Sequence, residues 1–336
     1  VKFRENVTRR IRPEVYGGLG FGTVRALLVL MAAMAALAAC GSSGSDPRDP
    51  IRLALDFQPN PAHAGIYATL REDLDAERGL DLEVLVPSSS TDSLKLLAGG
   101  RADVSVVDIH DLGLARERGR DLVGIGALVR RPLAAVIAGP GVRRPRQLEG
   151  RRVGVTGLPS DDAVLRAVVE GDGGDYGKVR RTTIGFSAVP SLVSGKVDAV
   201  VAFWNAEGVA LRERGVPTRE FRVDDYGAPS YPELVLATER RTLEQRREEI
   251  VRLLDALAAG TRAALSRREA TIAQLVEVSG ADGPLVRAQL GAVAPALRPP
   301  IRVDREALEG WADFDVRFGI LERVPDVERA FPPLEP

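Results

Sequence analysis

Gly195-Lys196-Val197-Asp198-Ala199-Val200-Val201-Ala202-Phe203-Trp204-Asn205-Ala206-Glu207-Gly208 is the stretch from which the rest of the chain can be read. Residues 197–202 form a short apolar run rich in Val, entered from a Gly-Lys turn, and this predicts a buried strand. The strand delivers a Phe-Trp pair, a side-chain amide, a carboxylate and a glycine over six residues. In an open α/β sheet, ligands bind in the crevice beyond the carboxyl ends of the strands. A flat heterocycle would find there an aromatic face, an amide that donates and accepts, and an acceptor for an exocyclic N–H. A second reading uses the same residues: Trp204 as plain core, and 205–208 as the approach to a helix over 209–214. The segment alone does not separate the two.

Composition narrows the choices. A chain of 336 residues, 45% hydrophobic and 28% charged, can bury one or two sizeable cores. Its formal net charge of -1 supplies no basic face for nucleic acid. One cysteine and two well-separated histidines, His63 and His110, leave no pattern for a structural zinc site or an internal disulfide. No metal or cofactor is expected.

The position of that cysteine is informative. Residues 24–39 are apolar apart from Arg25, and Leu37-Ala38-Ala39-Cys40 ends the run with small residues before Gly41-Ser42-Ser43-Gly44-Ser45, a flexible tether. The run is shorter than the ~20 apolar residues of a membrane span. This is the layout of a secretory signal, and it resembles the bacterial lipoprotein signal, in which Cys40 would carry the lipid. The expected organisation is therefore a signal over 1–39, an anchored linker over 40–50, and a chain held on the extracytoplasmic face of the cell membrane.

From Ile51 onward, strands and helices alternate. A strand over 51–57 stops at Gln58-Pro59-Asn60-Pro61, where two prolines forbid further pairing, and a helix over 62–71 follows. Strands are expected over 80–86 and 102–108, the latter ending at Asp108, and again over 132–138, 151–155, 197–202 and 232–238. His110-Asp111 could suggest a general base, but no Ser or Cys nucleophile stands in a recognisable elbow. Gly171-Asp172-Gly173-Gly174-Asp175 lacks the spacing of a calcium loop and reads as a turn. Beyond Leu243 the chain is helical, with Ile250, Leu253, Leu254 and Leu257 on one face. The pattern gives an α/β fold of two lobes. Residues 51–134 and 238–336 form one lobe, 135–237 the other, and two strands act as a hinge around a cleft.

Leu55-Asp56-Phe57-Gln58-Pro59-Asn60-Pro61-Ala62-His63-Ala64-Gly65-Ile66-Tyr67 resembles the D-W/F-x-P-N-x-x-H-x-G-x-Y signature of the thiamine pyrimidine-precursor family. Gly157-Leu158-Pro159-Ser160-Asp161, the 203–208 segment and Asp224-Asp225-Tyr226-Gly227 are similar to its bacterial members. Four motifs in order, over about 51–238, make the resemblance far more specific than any one alone. It implies a type 2 periplasmic-binding-protein fold, and a pyrimidine held against aromatics with carboxylates on its amine. By motif position the implied ligand residues are Asp56, Phe57, Asn60, His63, Tyr67, Trp204, Asn205 and Glu207, with Asp108, Ser160 and Tyr226 completing the set. Phe57 stands where many relatives have Trp.

The resemblance implies a lipid-anchored, non-enzymatic receptor that passes a formyl-aminomethyl-aminopyrimidine, or a similar flat heterocycle, to ABC permease and ATPase subunits. A riboflavin receptor on the same fold is the alternative. The synthase branch of the family consumes the matching histidine and needs a cysteine cluster, which this chain lacks. An anion receptor would need basic residues at the motif positions, and none stands there.

Overall fold

The computed structural model describes residues 11–13, 48–89, 91–299 and 301–334. Cys40, its tether and nearly all of the export signal lie outside the described residues. The first strands are β1 (Ile11–Pro13), β2 (Asp49–Ala54), β3 (Leu80–Val86), β4 (Val104–Asp108) and β5 (Leu122–Val129). The second set is β6 (Ala134–Ala138), β7 (Arg152–Val155), β8 (Arg180–Thr183), β9 (Ala199–Phe203) and β10 (Arg219–Arg222), and the chain then returns in β11 (Leu234–Glu239). They form two sheets, ordered β1-β3-β2-β4-β11-β5 and β10-β6-β9-β7-β8. β1, β2, β3 and β4 run parallel to their neighbours, while β11 is antiparallel to β4 and β5. In the second sheet β6 is antiparallel to β9 and β10, and β7 is parallel to β8 and β9. β1 falls inside the stretch read from sequence as the export signal.

The chain crosses between the sheets twice, at residues 130–133 and 227–233. β11 therefore belongs wholly to the first sheet, and the return crossing falls a few residues earlier than the sequence boundary at 237/238. β5, a continuous apolar run, is buried at all eight positions, as expected of a strand covered on both faces.

Seven helices matter for the site: α1 (Ala64–Arg71), α2 (Ile109–Glu117), α3 (Pro159–Gly171), α4 (Val209–Glu213), α5 (Arg247–Ser266), α6 (Gly283–Val293) and α7 (Arg305–Arg317). Ile250, Leu253 and Leu257 of α5 are fully buried, each contributing about 1.5–3 kcal/mol relative to exposure. The helical tail is not confined to the first lobe. Gln289 of α6 donates to the Ala206 carbonyl at 3.0 Å, and Arg166 of α3 donates to the Phe318 carbonyl beyond α7 at 3.0 Å.

α1 and α5 cross at backbone contact. A Cβ on Gly260 would lie 2.1 Å from Thr69 Oγ1 and 2.3 Å from the Gly65 carbonyl oxygen, and one on Gly65 would lie 2.2 Å from Thr261 Oγ1. The Thr69 hydroxyl sits between the carbonyls of Gly65 (2.9 Å) and Ala256 (3.1 Å). The glycine of the H-x-G-x-Y stretch thus serves helix packing. Gly260→Ala should destabilise the protein by about 1–3 kcal/mol through overpacking. Gly291→Ala on α6, where a Cβ meets nothing within 4 Å, should gain about 0.5–1 kcal/mol from helix propensity. Urea unfolding midpoints of the two variants, moving in opposite directions, check this.

Candidate ligand-binding cleft

The carboxyl ends of β2 and β4 in one lobe face those of β7, β8 and β9 in the other. Between them lies a cavity of about 100 Å³. Three phenylalanines line it, Phe57, Phe186 and Phe203, together with five acidic residues, Asp56, Asp108, Asp111, Asp161 and Glu207. Among the described residues, no Lys, Arg or His lines it.

Past β2 the chain turns on its prolines. Asn60 caps the turn: its Oδ1 accepts the Ala62 N–H at 2.9 Å and its Nδ2 donates to the Gln58 carbonyl at 3.0 Å. His63 Nδ1 accepts the Asn60 N–H at 3.3 Å, which leaves Nε2 to donate to Asp56 Oδ1 at 2.8 Å. Asp56 and Asn60 face the cavity, whereas His63 is fully buried behind them. The histidine orients the carboxylate. Tyr67 is fully buried within α1, away from the cavity, and burial drives its phenol pKa up.

The Phe-Trp pair divides where β9 ends and the next turn begins. Phe203 faces the cavity, while Trp204 turns the other way, is 5% exposed, and lies 4.2 Å under the Arg222 guanidinium. Its indole N–H donates to the Pro132 carbonyl at 3.2 Å. The aromatic rings at the cavity are therefore Phe203, and Phe57 and Phe186, whose rings meet edge-on across the lobes at 4.3 Å, and not Trp204. Trp204–Gly208 winds as a single π-helical turn before α4, an irregularity frequent at functional sites. The turn aims Glu207 back along the strand. Its Oε2 accepts the Phe203 N–H at 3.2 Å, and burial, with Asp56 close by, raises its pKa. Asn205 is buried off the cavity, its Oδ1 without a hydrogen-bond partner among the described residues. Tyr226 packs edge-on against Phe221 outside the cavity.

The remaining wall joins the lobes. Asp111, in the first turn of α2, accepts from the Ser160 hydroxyl at 3.1 Å and the Ser160 N–H at 3.4 Å at the start of α3. Asp161 accepts from the Thr156 hydroxyl (2.8 Å) and the N–H groups of Gly157 (2.9 Å) and Leu158 (3.2 Å). Asp108 caps α2 through the His110 N–H at 2.8 Å. Of the residues expected from sequence, Asp56, Phe57, Asn60, Asp108, Ser160 and Glu207 meet at the cavity; His63, Tyr67, Trp204, Asn205 and Tyr226 do not. Phe186, Asp111 and Asp161 also line the cavity and were not among the residues expected from sequence. Phe186 follows the end of β8, and the rule of strand carboxyl ends would have found it.

Burial raises the carboxyl groups of Asp111 and Asp161 to about 7, outweighing their donors. Burial alone would discharge His110, but Asp315, Asp108 and Glu233 outweigh it and raise the imidazole to about 10. A carboxyl with a raised folded-state pKa binds more protons folded than unfolded, so the stability it contributes at low pH is lost as pH rises from about 4 through about 7. The His110 contribution is complete below about 6.5 and is lost as pH rises through about 10. Both act in one direction. The melting temperature of the ligand-free protein should therefore fall between pH 5.5 and 8.5, and Asp161→Asn should flatten the fall, as differential scanning calorimetry would register.

Residues 60–271 match the NMT1/THI5-like family. A formylaminopyrimidine-binding protein of Halalkalibacterium halodurans is 35% identical over 222 residues, or 65% of this chain and 65% of that protein. A 4-amino-5-hydroxymethyl-2-methylpyrimidine phosphate synthase of Saccharomyces cerevisiae is 27% identical over 171 residues, 48% of each. The chain thus matches less than two thirds of the length of these relatives. The solved periplasmic aliphatic sulphonate binding protein of Escherichia coli superposes with a TM-score of 0.67 at 18% identity, over 84% of this chain and 97% of that one. That likeness is one of fold, and the fold is the type 2 periplasmic-binding-protein architecture. With its match running from the Asn60 turn, through both cleft walls, into the helix after α5, the chain belongs to the NMT1/THI5-like family.

Proposed function

We propose that the protein is a solute receptor whose cleft takes a small aminopyrimidine of the formylaminopyrimidine type. The observation that carries this is the cavity lining: aromatic faces and five acids, with no cationic side chain among the described residues. Carboxylates accept N–H groups and repel anions. A sulfonate or nitrate in this cleft would meet acids and no compensating cation. Size points the same way. A cavity of roughly 150 Å³ holds benzene, so about 100 Å³ suits a single substituted ring with modest opening of the lobes. A tricyclic flavin is far larger.

Asp56 and Glu207 are the proposed acceptors for the exocyclic amine, with Phe57, Phe186 and Phe203 against the ring. The synthase reading is disfavoured by the state of His63, whose two ring nitrogens are both engaged and which is fully buried. The sequence context of Cys40 supports an exported, lipid-anchored receptor that serves an ABC permease and its ATPase. Among the described residues, no helix is long and apolar enough to cross a membrane.

Calorimetry with formylaminopyrimidine should give saturable binding, and an alkanesulfonate or nitrate none; the reverse pattern would overturn the reading. A charge-assisted N–H bond to a carboxylate contributes about 1.5–3 kcal/mol, so Glu207→Gln should cost about tenfold or more in affinity. Phe57→Ala should weaken binding with the melting temperature nearly unchanged. Trp204→Ala should lower the melting temperature chiefly, since its ring is core. For the anchor, Cys40→Ala should release the protein from membranes without detergent, because stable anchoring takes two acyl chains or more. Equal retention of both proteins after a high-salt wash would remove the lipid from the proposal.

A further inference from the structure

Glu233 is the last residue before β11 and is fully buried. It sits on the return crossing and holds the outgoing one: its Oε2 accepts the N–H groups of Leu133 at 2.5 Å and Ala134 at 3.2 Å. Its own carbonyl accepts the Ile109 N–H at 3.1 Å, at the junction of β4 and α2. One residue thus binds both connections between the lobes to the wall of the cleft.

The Glu233 carboxyl also meets that of Asp108, within hydrogen-bonding reach, and Asp108 lines the cavity. Two carboxyl groups can hydrogen-bond only if one of them keeps a proton. The groups packed around the pair are few. His110 on α2 approaches Asp315 of α7 at 2.5 Å through Nδ1, while its Nε2 is buried without a partner. Tyr231 lies edge-on to His110 at 4.8 Å with its hydroxyl unpartnered among the described residues, and Glu233 Oε1 is buried and accepts from no N–H or hydroxyl among them. Asp111 faces from α2, and Asp224 acts on Tyr231 from the turn before the return crossing. One imidazolium thus stands among Asp108, Asp111, Glu233 and Asp315. The cluster cannot be neutral unless carboxyl protons remain in it.

We propose that Glu233 is a positioning residue for ligand capture: by sharing one proton with Asp108 while holding both interlobe connections, it makes binding at Asp108, lobe closure and release of that proton a single linked event. This rests on the reading of the cleft as an aminopyrimidine site. A ligand N–H donated to Asp108 takes the place of the shared proton as the donor to that carboxyl, and the displaced proton leaves to solvent. No bond other than the O–H is broken.

Two measurements test the proposal, one with ligand and one without. In the ligand-free protein, the infrared carbonyl stretch of a protonated carboxyl should persist at pH 8 and be lost in Glu233→Gln, whose amide still accepts from Leu133 and donates to Asp108. Should that variant fold poorly, Asp108→Asn removes the other half of the pair and should lose the same band. Absence of the band from the wild type, or its survival in both variants, overturns the shared proton. With formylaminopyrimidine, calorimetry in buffers of differing ionisation heat should show about one proton fewer released by Glu233→Gln than by wild type. Equal proton counts overturn the linkage. A wild type that binds no probe overturns the linkage too, and with it the cleft reading, while the infrared result then stands as a statement about the hinge alone.

Discussion

The chain passes between the two sheets at residues 130–133 and again at 227–233, and this double passage governs where polar groups can go. The two backbone connections leave N–H and C=O groups that neither sheet satisfies, and around Leu133 and Glu233 these are fully buried. The protein answers with side chains. Glu233 takes the N–H groups of Leu133 and Ala134, the Trp204 indole takes the Pro132 carbonyl, and the Trp204 N–H takes the Leu133 carbonyl at 3.0 Å. The acid at the hinge is there because backbone donors needed an acceptor. Its cost is a buried carboxyl, whose ionisation burial disfavours.

Much of the fold was legible because its strands are short apolar runs bounded by Gly, Pro or Asp, and the order of those runs fixes two sheets and two crossings. The limit of the return crossing was less legible, since Leu234–Glu239 is as apolar as a strand of either lobe would be. Its place in the first sheet is decided by antiparallel pairing with β4 and β5, a long-range contact that local pattern does not encode. The reach of the tail is the same kind of fact. Nothing in the α6 sequence says that Gln289 will find the Ala206 carbonyl.

Within the cleft, most of the segments singled out in the sequence reach the cavity, though not every named residue of each lines it. Phe203 ends β9 and faces the cavity, while Trp204 opens the π-helical turn and goes to the core, where its N–H has a partner. The motif over 55–67 mixes residues that touch the cavity with residues that hold those in place. Asp56 and Phe57 touch it; His63 aims Asp56, Asn60 also builds the turn, and Gly65 admits α5. A motif records both roles alike. Asp161 is accounted for by hydrogen bonds within its own turn and Asp111 by its bonds across the lobes to Ser160, and only the assembled wall shows both facing one space.

That wall also limits what the cleft can want. Five acids line about 100 Å³, and burial raises Asp111 and Asp161 to about 7. Such groups are poised: each can be a donor or an acceptor near neutrality, at small cost for changing roles. A ligand that brings N–H donors and a flat apolar face relieves the repulsion and fills the space between the phenylalanines in one step. An anionic ligand would meet these acids with no cationic side chain among the described residues to offset them. Recognition here therefore begins in the backbone. The crossings place a buried acid at Glu233, and the acids that line the cleft favour a partner that brings N–H donors.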